Sequence, residues 1–268
     1  MENNPNTLFR LDNRVVILTG GSGLIGSEAV RQLPMLGAQV VVGVRNTDKF
    51  NDQVKSISLP EDCPKPVCYK LDISDSSSVQ SFFRETINNF KRVDVLINNA
   101  FPRTDDWLTP FEDVKPTSLY KNLCDHAGGY FLCCQEAAHY MKKQKKGVML
   151  NIGSIYGNVG PHFPIYENTG MTLSSAYSLI KGGIHTFTKY LATYLAPHNI
   201  RVNCLSPGGI LDNTHQDPEF IKNYIKNTPL GRMAKPDDII GPMIFLISDA
   251  SKYVTGEVLM VDGGWTAW

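Results

Sequence analysis

Tyr177 and Lys181 carry the strongest chemical signal in this chain, because they lie four residues apart in a stretch predicted to be helical. That spacing places both side chains on one helical face, one turn apart. A phenol titrates at about pH 10, and a neighbouring ammonium favours the phenolate. The pair could therefore exchange a proton with a substrate hydroxyl or carbonyl group. The pattern is common, so an exposed helix pair without a role is the alternative.

A glycine-rich turn follows the first predicted strand and precedes a helix. Glycine lets the backbone approach a pyrophosphate, and the helix amino terminus supplies free N–H groups and a positive dipole. A tight surface turn is the alternative, but the position between strand and helix favours dinucleotide binding. The expected contacts are Gly20, Ser22, Gly23, Leu24, Ile25 and Gly26.

The end of the second predicted strand indicates which dinucleotide binds. An acidic residue there binds the adenosine ribose, whereas an arginine accommodates a 2′-phosphate. Val44 stands where the acid is expected, and Arg45 and Asn46 follow it. A guanidinium matches phosphate geometry, so we favour NADP(H) over NAD(H), with Arg45 and Asn46 as contacts. A solvated arginine at a strand end would fit the same sequence.

The elements that must position these residues alternate along the whole chain. The predicted strands are apolar on both faces, which favours a buried parallel sheet, and they span residues 15–18, 39–44, 67–71, 93–97, 148–152, 200–205 and 258–261. Amphipathic stretches predict helices at 76–90, 119–143, 175–196 and 236–248. This order predicts an α/β, doubly wound Rossmann fold, with one seven-stranded parallel sheet and helices on both faces. No linker divides the chain, so residues 1–268 are expected to form a single domain.

Composition excludes several classes of function. The 26 Lys and Arg residues balance 26 Asp and Glu residues, so no global field attracts nucleic acid or an anionic membrane. No apolar run reaches the roughly 20 residues of a membrane helix, and residues 1–14 lack the apolar core of a secretory signal. The six cysteines include no Cys-x-x-Cys pair, which favours reduced thiols over disulfides or a metal site. We expect a cytoplasmic protein without nucleic-acid or membrane partners.

Short motifs follow one another along nearly the whole length. They are the turn at residues 20–26, Leu71-Asp72-Ile73, Asn98-Asn99-Ala100, Asn151-Ile152-Gly153-Ser154, Tyr177 with Lys181, Ile200-Arg201-Val202-Asn203, Ser206-Pro207-Gly208-Gly209 and Val261-Asp262-Gly263-Gly264. In order and spacing, the chain resembles the single-domain branch of the short-chain dehydrogenase/reductase family.

The resemblance implies a role for each matching residue. Tyr177 would donate or accept the proton, Lys181 would lower its pKa and hold the nicotinamide ribose, and Ser154 would bind the reacting oxygen of the substrate. The other implied cofactor contacts are Asp72 and Ile73 at the adenine, Asn99 and Ala100 at the adenosine-side ribose, and Pro207, Gly208, Gly209 and Ile210 at the nicotinamide.

The chain departs from the family pattern at four places. The spacing of its glycines is closer to the extended branch, because Leu24 stands where the single-domain branch usually has glycine. His126 replaces an asparagine that usually anchors a water chain to the catalytic lysine; it could relay protons or be a helix-face residue without that role. The extra residues 159–174 could cover the active site or contact another subunit. Asp212 replaces a threonine that often touches the carboxamide.

The motifs predict an NADP(H)-dependent oxidoreductase that interconverts a secondary alcohol and a ketone, with Tyr177 as general acid/base. Local likeness to bacterial proteins that make unusual sugars for flagellin and surface glycans makes a sugar or nucleotide-sugar derivative a candidate substrate. The alternatives are a non-catalytic NAD(P)(H)-binding sensor or scaffold, and an epimerase or dehydratase that recycles its cofactor. The family implies a homo-oligomer, a tetramer or dimer, formed through helices 119–143 and 175–196 and the C-terminal strand.

Overall fold

Seven short runs rich in Val, Ile and Leu form one parallel sheet in the computed structural model, which describes residues 7–55 and 57–268. The strand order is β3-β2-β1-β4-β5-β6-β7. The strands are β1 (Val15–Thr19), β2 (Gln39–Val44), β3 (Val67–Lys70), β4 (Val95–Asn98), β5 (Gly147–Ile152), β6 (Ile200–Pro207) and β7 (Val258–Val261). The chain changes direction across the sheet between β1 and β4, and open α/β sheets bind ligands at the carboxyl ends of the strands beside such a point.

Helices cover both faces of the sheet. They are α1 (Leu24–Gln32), α2 (Thr47–Lys55), α3 (Ser76–Phe90), α4 (Pro116–Asn122), α5 (Gly129–Gln144), α6 (Ser175–Leu195), α7 (Pro218–Lys226) and α8 (Pro236–Ile247). Apolar side chains of α3, α5 and α6 form the core on one face, and those of α1 and α8 form the core on the other. The predicted doubly wound α/β fold is confirmed.

The central strands β1, β4 and β5 are buried along their whole length. This explains why their sequences are apolar without alternation, since both faces of each strand meet a helical layer. Strand β4 begins two residues later than predicted. The Val93 N–H bonds to a side chain, whereas the Asp94 backbone still bonds to Val15 of β1 and Val148 of β5. The Asp94 carboxylate accepts the Val15 N–H at 2.9 Å, and the Gln144 side chain accepts the Val93 N–H at 2.9 Å.

The predicted helix at residues 119–143 is wrong as a single element. It begins earlier, with Pro116 in its first turn, and a π-helical segment, Leu123–Gly128, separates α4 from α5. Gly128 and Gly129 are poor helix formers. The hydrogen-bond pattern changes from π-helical to α-helical between them. The π segment carries His126, so this irregularity positions a residue that the sequence marked as unusual.

Local sequence features account for the starts of two helices. The Asp75 carboxylate caps α3 by accepting the Ser77 N–H at 2.9 Å, and Pro236 and Asp237 lie in the first turn of α8. All six cysteines are free thiols. Among residues 7–55 and 57–268, no helix is long and apolar enough to cross a membrane. Residues 1–6, part of the stretch expected to lack a secretory signal, lie outside the described residues.

Candidate active site

Ser154, Tyr177 and Lys181 meet at the carboxyl edge of the sheet. Ser154 follows the end of β5, while Tyr177 and Lys181 lie in the first two turns of α6. The Ser154 Oγ accepts the Tyr156 N–H at 3.2 Å, which holds the serine side chain in place. Its hydroxyl also lies close enough to the Tyr177 phenol to lower the pKa of that phenol. The structure therefore brings together the three residues to which the resemblance gave the acid–base chemistry.

The pKa of Tyr177 lies above its ordinary value, which differs from the lowered pKa that the helical spacing suggested. Burial is the main cause, and Ser154 opposes it by lowering the pKa. The phenol ring lies edge-on to two aromatic rings, at centroid distances of 5.7 Å for Phe101 and 6.0 Å for Trp107. The chain's own groups therefore favour the neutral phenol, which is a proton donor.

Lys181 is buried beside the phenol, with only 4% of its surface exposed. Its Nζ donates to the Ile152 carbonyl oxygen at 2.7 Å and lies 5.6 Å from the centroid of the Tyr177 ring. Burial lowers the pKa of the ammonium to about 8, because a desolvated cation is unfavourable. The lysine is thus charged at neutral pH and begins to lose its proton in mildly alkaline solution.

His126 reaches the same place from the π segment. Its ring is fully buried and lies edge-on to Phe101 and Tyr130, each at a centroid distance of 5.1 Å. Neither ring nitrogen has a hydrogen-bond partner among the described residues. Burial, followed by the charge of Lys181, holds the pKa of His126 well below its ordinary value. The imidazole is therefore neutral, and it lies next to the charged lysine.

The glycine turn packs closely against neighbouring backbone and leads into a helix without a side-chain cap. Gly20 has a φ of +75°, and a Cβ on it would come within 2.8 Å of the Ala100 Cα. A Cβ on Gly26 would come within 3.0 Å of the Asn99 Nδ2. Gly23 is the N-cap of α1 and supplies no side-chain acceptor, so the first N–H groups of the helix are available to an anion. Ser22 and Leu24 are exposed and Ile25 is half-buried at this turn.

Asn99 and Ala100 are half-buried and are hydrogen-bonded to the residues that lead into the glycine turn. The Asn99 Nδ2 donates to the carbonyl oxygens of Thr19 and Gly20 at 3.1 and 2.9 Å. The hydroxyl of Thr19 accepts the N–H groups of Asn99 and Ala100 at 2.9 and 3.0 Å. Sequence reasoning missed Thr19, although a polar residue at the end of an apolar strand is a usable signal.

The second and third strands place Arg45 and Asp72 near one another. Arg45 is exposed at the end of β2, and its charge contributes to the lowered pKa of Asp72. The larger cause of that lowering is Ser74, whose hydroxyl donates to the Asp72 carboxylate at 2.6 Å. The Asn46 Oδ1 accepts the Lys49 N–H at 2.9 Å, at the start of α2. Ile73 is buried, so its side chain belongs to the core and leaves only its backbone to face a ligand.

Residues 207–212 lie at and beyond the end of β6, at the carboxyl edge of the sheet. A Cβ on Gly208 would lie 2.9 Å from the Asp262 Cα, and the Gly209 N–H donates to the Tyr224 hydroxyl at 2.5 Å. Pro207 ends β6, and Ile210 forms an isolated backbone bridge. The Asp212 carboxylate accepts the Thr214 N–H at 3.0 Å and pairs with His215, so it shapes its own turn.

The inserted residues 159–174 pack beside the phenol. Ile165 is buried, and the Tyr166 ring stacks on Phe220 of α7 at 5.4 Å. These residues share an apolar cluster with Trp265, and the Tyr177 ring packs against the same cluster. This arrangement favours the loop-over-the-site interpretation of the insert. Phe101 and Trp107 were missed by sequence reasoning, although they closely follow the Asn98-Asn99-Ala100 motif.

Comparisons with known proteins agree with this site. A family model described as enoyl-(acyl carrier protein) reductase matches residues 22–266. Post-translational flagellin modification protein A of Campylobacter coli is 33% identical over 262 residues, which cover 95% of this chain and 99% of that protein. L-rhamnose 1-dehydrogenase (NAD(P)(+)) of Azotobacter vinelandii is 32% identical over 266 residues, which cover 95% and 97%.

A solved structure extends the likeness to three dimensions. The short chain dehydrogenase of Leptospira borgpetersenii with bound NAD+ is 38% identical, has a TM-score of 0.83, and is matched over 99% of this chain and 97% of that chain. Fold and site together define a nicotinamide-dependent oxidoreductase of the α/β class. The chain belongs to the short-chain dehydrogenase/reductase family.

Proposed function

We propose that this protein interconverts a secondary alcohol and a ketone with NADP(H), and that Tyr177 exchanges the proton. The observation that carries the proposal is the meeting of Ser154, Tyr177 and Lys181 at the carboxyl edge of the sheet. The bound nicotinamide supplies or accepts the hydride at the substrate carbon. The residues present fit that group, because the uncapped start of α1 offers free N–H groups to a pyrophosphate.

Each of the three side chains has a separate task. The Ser154 hydroxyl binds the substrate oxygen and keeps it beside the phenol. The Tyr177 Oη gives its proton to that oxygen when a ketone is reduced and takes it back when the alcohol is oxidised. The Lys181 ammonium, fixed by the Ile152 carbonyl, places positive charge beside the phenol and opposes the rise in its pKa. The raised pKa of Tyr177 suits the proton donor that reduction requires.

His126 is proposed as a fourth member of the site. Two unpartnered ring nitrogens beside Lys181 offer a buried water both a donor and an acceptor. Such a water would connect the imidazole with the lysine and return a proton to the phenol after turnover. The competing interpretation, a histidine that only fills space between Phe101 and Tyr130, predicts that a residue of similar volume restores full activity.

The proposed preference for NADP(H) rests on Arg45. Its side chain is exposed at the end of β2, and no carboxylate among the described residues lies within 4 Å of it. A ribose 2′-phosphate would therefore meet a free guanidinium there. The charge of Arg45 also lowers the pKa of Asp72. The preference for NADP(H) therefore depends on whether the 2′-phosphate binds the guanidinium in competition with the Asp72 carboxylate.

A sugar or nucleotide-sugar derivative is the proposed substrate. Support comes from two relatives, one named for flagellin modification and one for oxidation of L-rhamnose. The description of the family model names an acyl carrier protein reductase, so an acyl thioester is the competing substrate class. The charge balance and the free thiols support a cytoplasmic protein that acts on small molecules without nucleic acid or membrane. Residues 1–268 are proposed to act as one domain.

The test is a panel of ketoses, sugar acids and β-keto thioesters assayed with NADPH, and of the matching alcohols assayed with NADP+. The wild type is expected to oxidise NADPH with at least one of the sugar compounds, or to reduce NADP+ with the matching alcohol. Tyr177→Phe is expected to lose that activity. A sensor or scaffold would bind the dinucleotide and turn nothing over. An epimerase or dehydratase would convert substrate with no net change in NADPH.

A further inference from the structure

The segment between β4 and α4 places an arginine one aromatic ring away from the proposed proton donor. The guanidinium carbon of Arg103 lies 5.6 Å from the centroid of the Phe101 ring. That ring lies 5.7 Å from the Tyr177 ring and 6.0 Å from the Lys181 Nζ. A molecule of sugar size whose reacting oxygen is at Tyr177 can therefore extend across Phe101 to Arg103.

The backbone around Arg103 is held on both sides. The N–H of Thr104 donates to the Asn122 Oδ1 at 3.0 Å, and the Asn122 Nδ2 donates back to the Thr104 hydroxyl at 2.8 Å. On the other side, the Phe101 ring packs edge-on against the buried Trp107 at 5.3 Å. The loop thus fixes the backbone from which the exposed Arg103 side chain extends, and a specific contact requires such a supported position.

The charge of Arg103 is not neutralised by the protein. No carboxylate among residues 7–55 and 57–268 forms an ion pair with it, and its guanidinium has no hydrogen-bond acceptor there. The Asp106 carboxylate accepts a hydrogen bond from the Ser118 hydroxyl at 2.7 Å. Lys181, the other cation beside Phe101, is buried and donates to the Ile152 carbonyl. Of the two cations beside Phe101, Arg103 is therefore the exposed one that an anion from solution can bind.

We propose that Arg103 forms an anion subsite of the active site, and that the substrate is a sugar derivative bearing a phosphate or carboxylate group remote from the reacting carbon. This inference rests on the proposed function for the position of the reacting oxygen. A planar guanidinium binds either oxyanion through two parallel N–H donors. The contact would select charged sugars over neutral ones of the same size and would fix which hydroxyl reaches Tyr177.

The test is equilibrium binding to the protein saturated with NADP+, which occupies the phosphate sites of the dinucleotide. The probes are inorganic phosphate, D-glucose 6-phosphate and D-glucuronate, with neutral D-glucose as the matched control. Calorimetric titrations compare the wild type with Arg103→Met, which keeps the apolar stem, with Arg103→Lys, and with Arg84→Met on α3 as a remote control. We expect Arg103→Met to weaken binding of the anions at least about tenfold. Arg103→Lys should retain part of the affinity, and Arg84→Met should change nothing.

The inference is overturned if the wild-type complex binds none of the three anions, or if Arg103→Met binds them as tightly as the wild type does. Binding of NADP+ is measured on the same samples and reports on the proposed function separately. A protein that binds NADP+ but no anion contradicts the anion subsite alone. A protein that binds no dinucleotide contradicts the proposed function, while the comparison of Arg103→Met with the wild type still decides the subsite.

Discussion

At the scale of single residues, the acid–base chemistry depends on two opposed effects of burial. Burial raises the pKa of Tyr177 and lowers the pKa of Lys181 to about 8, so each group is driven towards its neutral form. Ser154 acts against that tendency at the phenol by lowering the pKa of Tyr177. The helical spacing predicted that Tyr177 and Lys181 would be neighbours, but a pattern of residue types contains no measure of desolvation.

Cofactor selectivity also belongs to this scale. Arg45→Ala should weaken NADPH binding about tenfold or more and leave NADH binding nearly unchanged, because a charged hydrogen bond to the 2′-phosphate contributes about 1.5–3 kcal/mol. Fluorescence titration of each reduced dinucleotide measures both constants.

Lys49→Ala is the matched control, since Lys49 is exposed at the start of α2 and its backbone, not its side chain, is bonded to Asn46. If Arg45→Ala keeps the preference of the wild type for NADPH over NADH, the assignment of Arg45 to the phosphate is wrong.

Some of the other site residues could be predicted from the sequence and others could not. The glycine turn was predictable because a strained backbone leaves few choices of residue, as the φ of +75° at Gly20 illustrates. Phe101 and Trp107 were not predicted, because an aromatic residue in a loop follows no periodicity and is placed by tertiary packing. The Asn99 amide holds the carbonyls of the turn, and its contact with the adenosine-side ribose stays a prediction.

At the scale of elements, apolar runs located every strand of the sheet, while boundaries moved where side chains replaced backbone pairing. The start of β4 is an example, because the Val93 N–H bonds to the Gln144 side chain. The π segment was not predicted, since a shift from one helical hydrogen-bond pattern to another leaves the amphipathic period almost unchanged. That segment buries His126, and the burial has a measurable consequence.

Stability should fall in acid because His126 must be neutral in the folded protein. Its pKa is well below the ordinary value of about 6.5, so below that pH the unfolded chain binds a proton that the folded chain does not. The contribution is therefore fully present above about pH 6.5 and is lost as the pH falls. The expected slope is at most about 1.4 kcal/mol per pH unit for this group. Urea unfolding from pH 7 to pH 5 measures it.

His126→Asn removes the titrating ring and should flatten that slope between pH 7 and pH 5. His139→Asn, at an exposed position on α5, is the control and should keep the slope of the wild type. An unchanged slope in His126→Asn would show that the imidazole is free to protonate in the folded protein. Turnover by His126→Leu, which fills the site without ring nitrogens, separates the proton relay from a space-filling role.

At the scale of the whole molecule, an exposed row of aromatic rings along α5 and α6 supports assembly. Phe131, Phe187, Tyr190 and Tyr194 stack in sequence at centroid distances of 5.7, 6.5 and 5.9 Å. More than half of the Tyr190 and Tyr194 surfaces is exposed. A row of exposed aromatic residues on neighbouring helices is typical of a protein interface, and the family implies assembly through these same helices.

Tyr190→Glu should therefore shift the protein to a smaller assembly, because a carboxylate would be buried against the apolar face of the partner. Light scattering measures the mass against a protomer of 29.8 kDa. Met35→Glu, an exposed position beyond α1 on the opposite face of the sheet, should not change it. A wild-type mass of a single protomer would contradict the proposed assembly.

The central claim is tested most directly by Tyr177→Phe, measured for NADPH binding and for turnover on one preparation. The substitution removes only the phenolic oxygen from a half-buried ring. The dissociation constant of NADPH is expected to stay within about twofold of the wild type, while turnover of an active substrate is expected to fall about 100-fold or more. Turnover close to that of the wild type, with NADPH bound normally, would show that another group moves the proton.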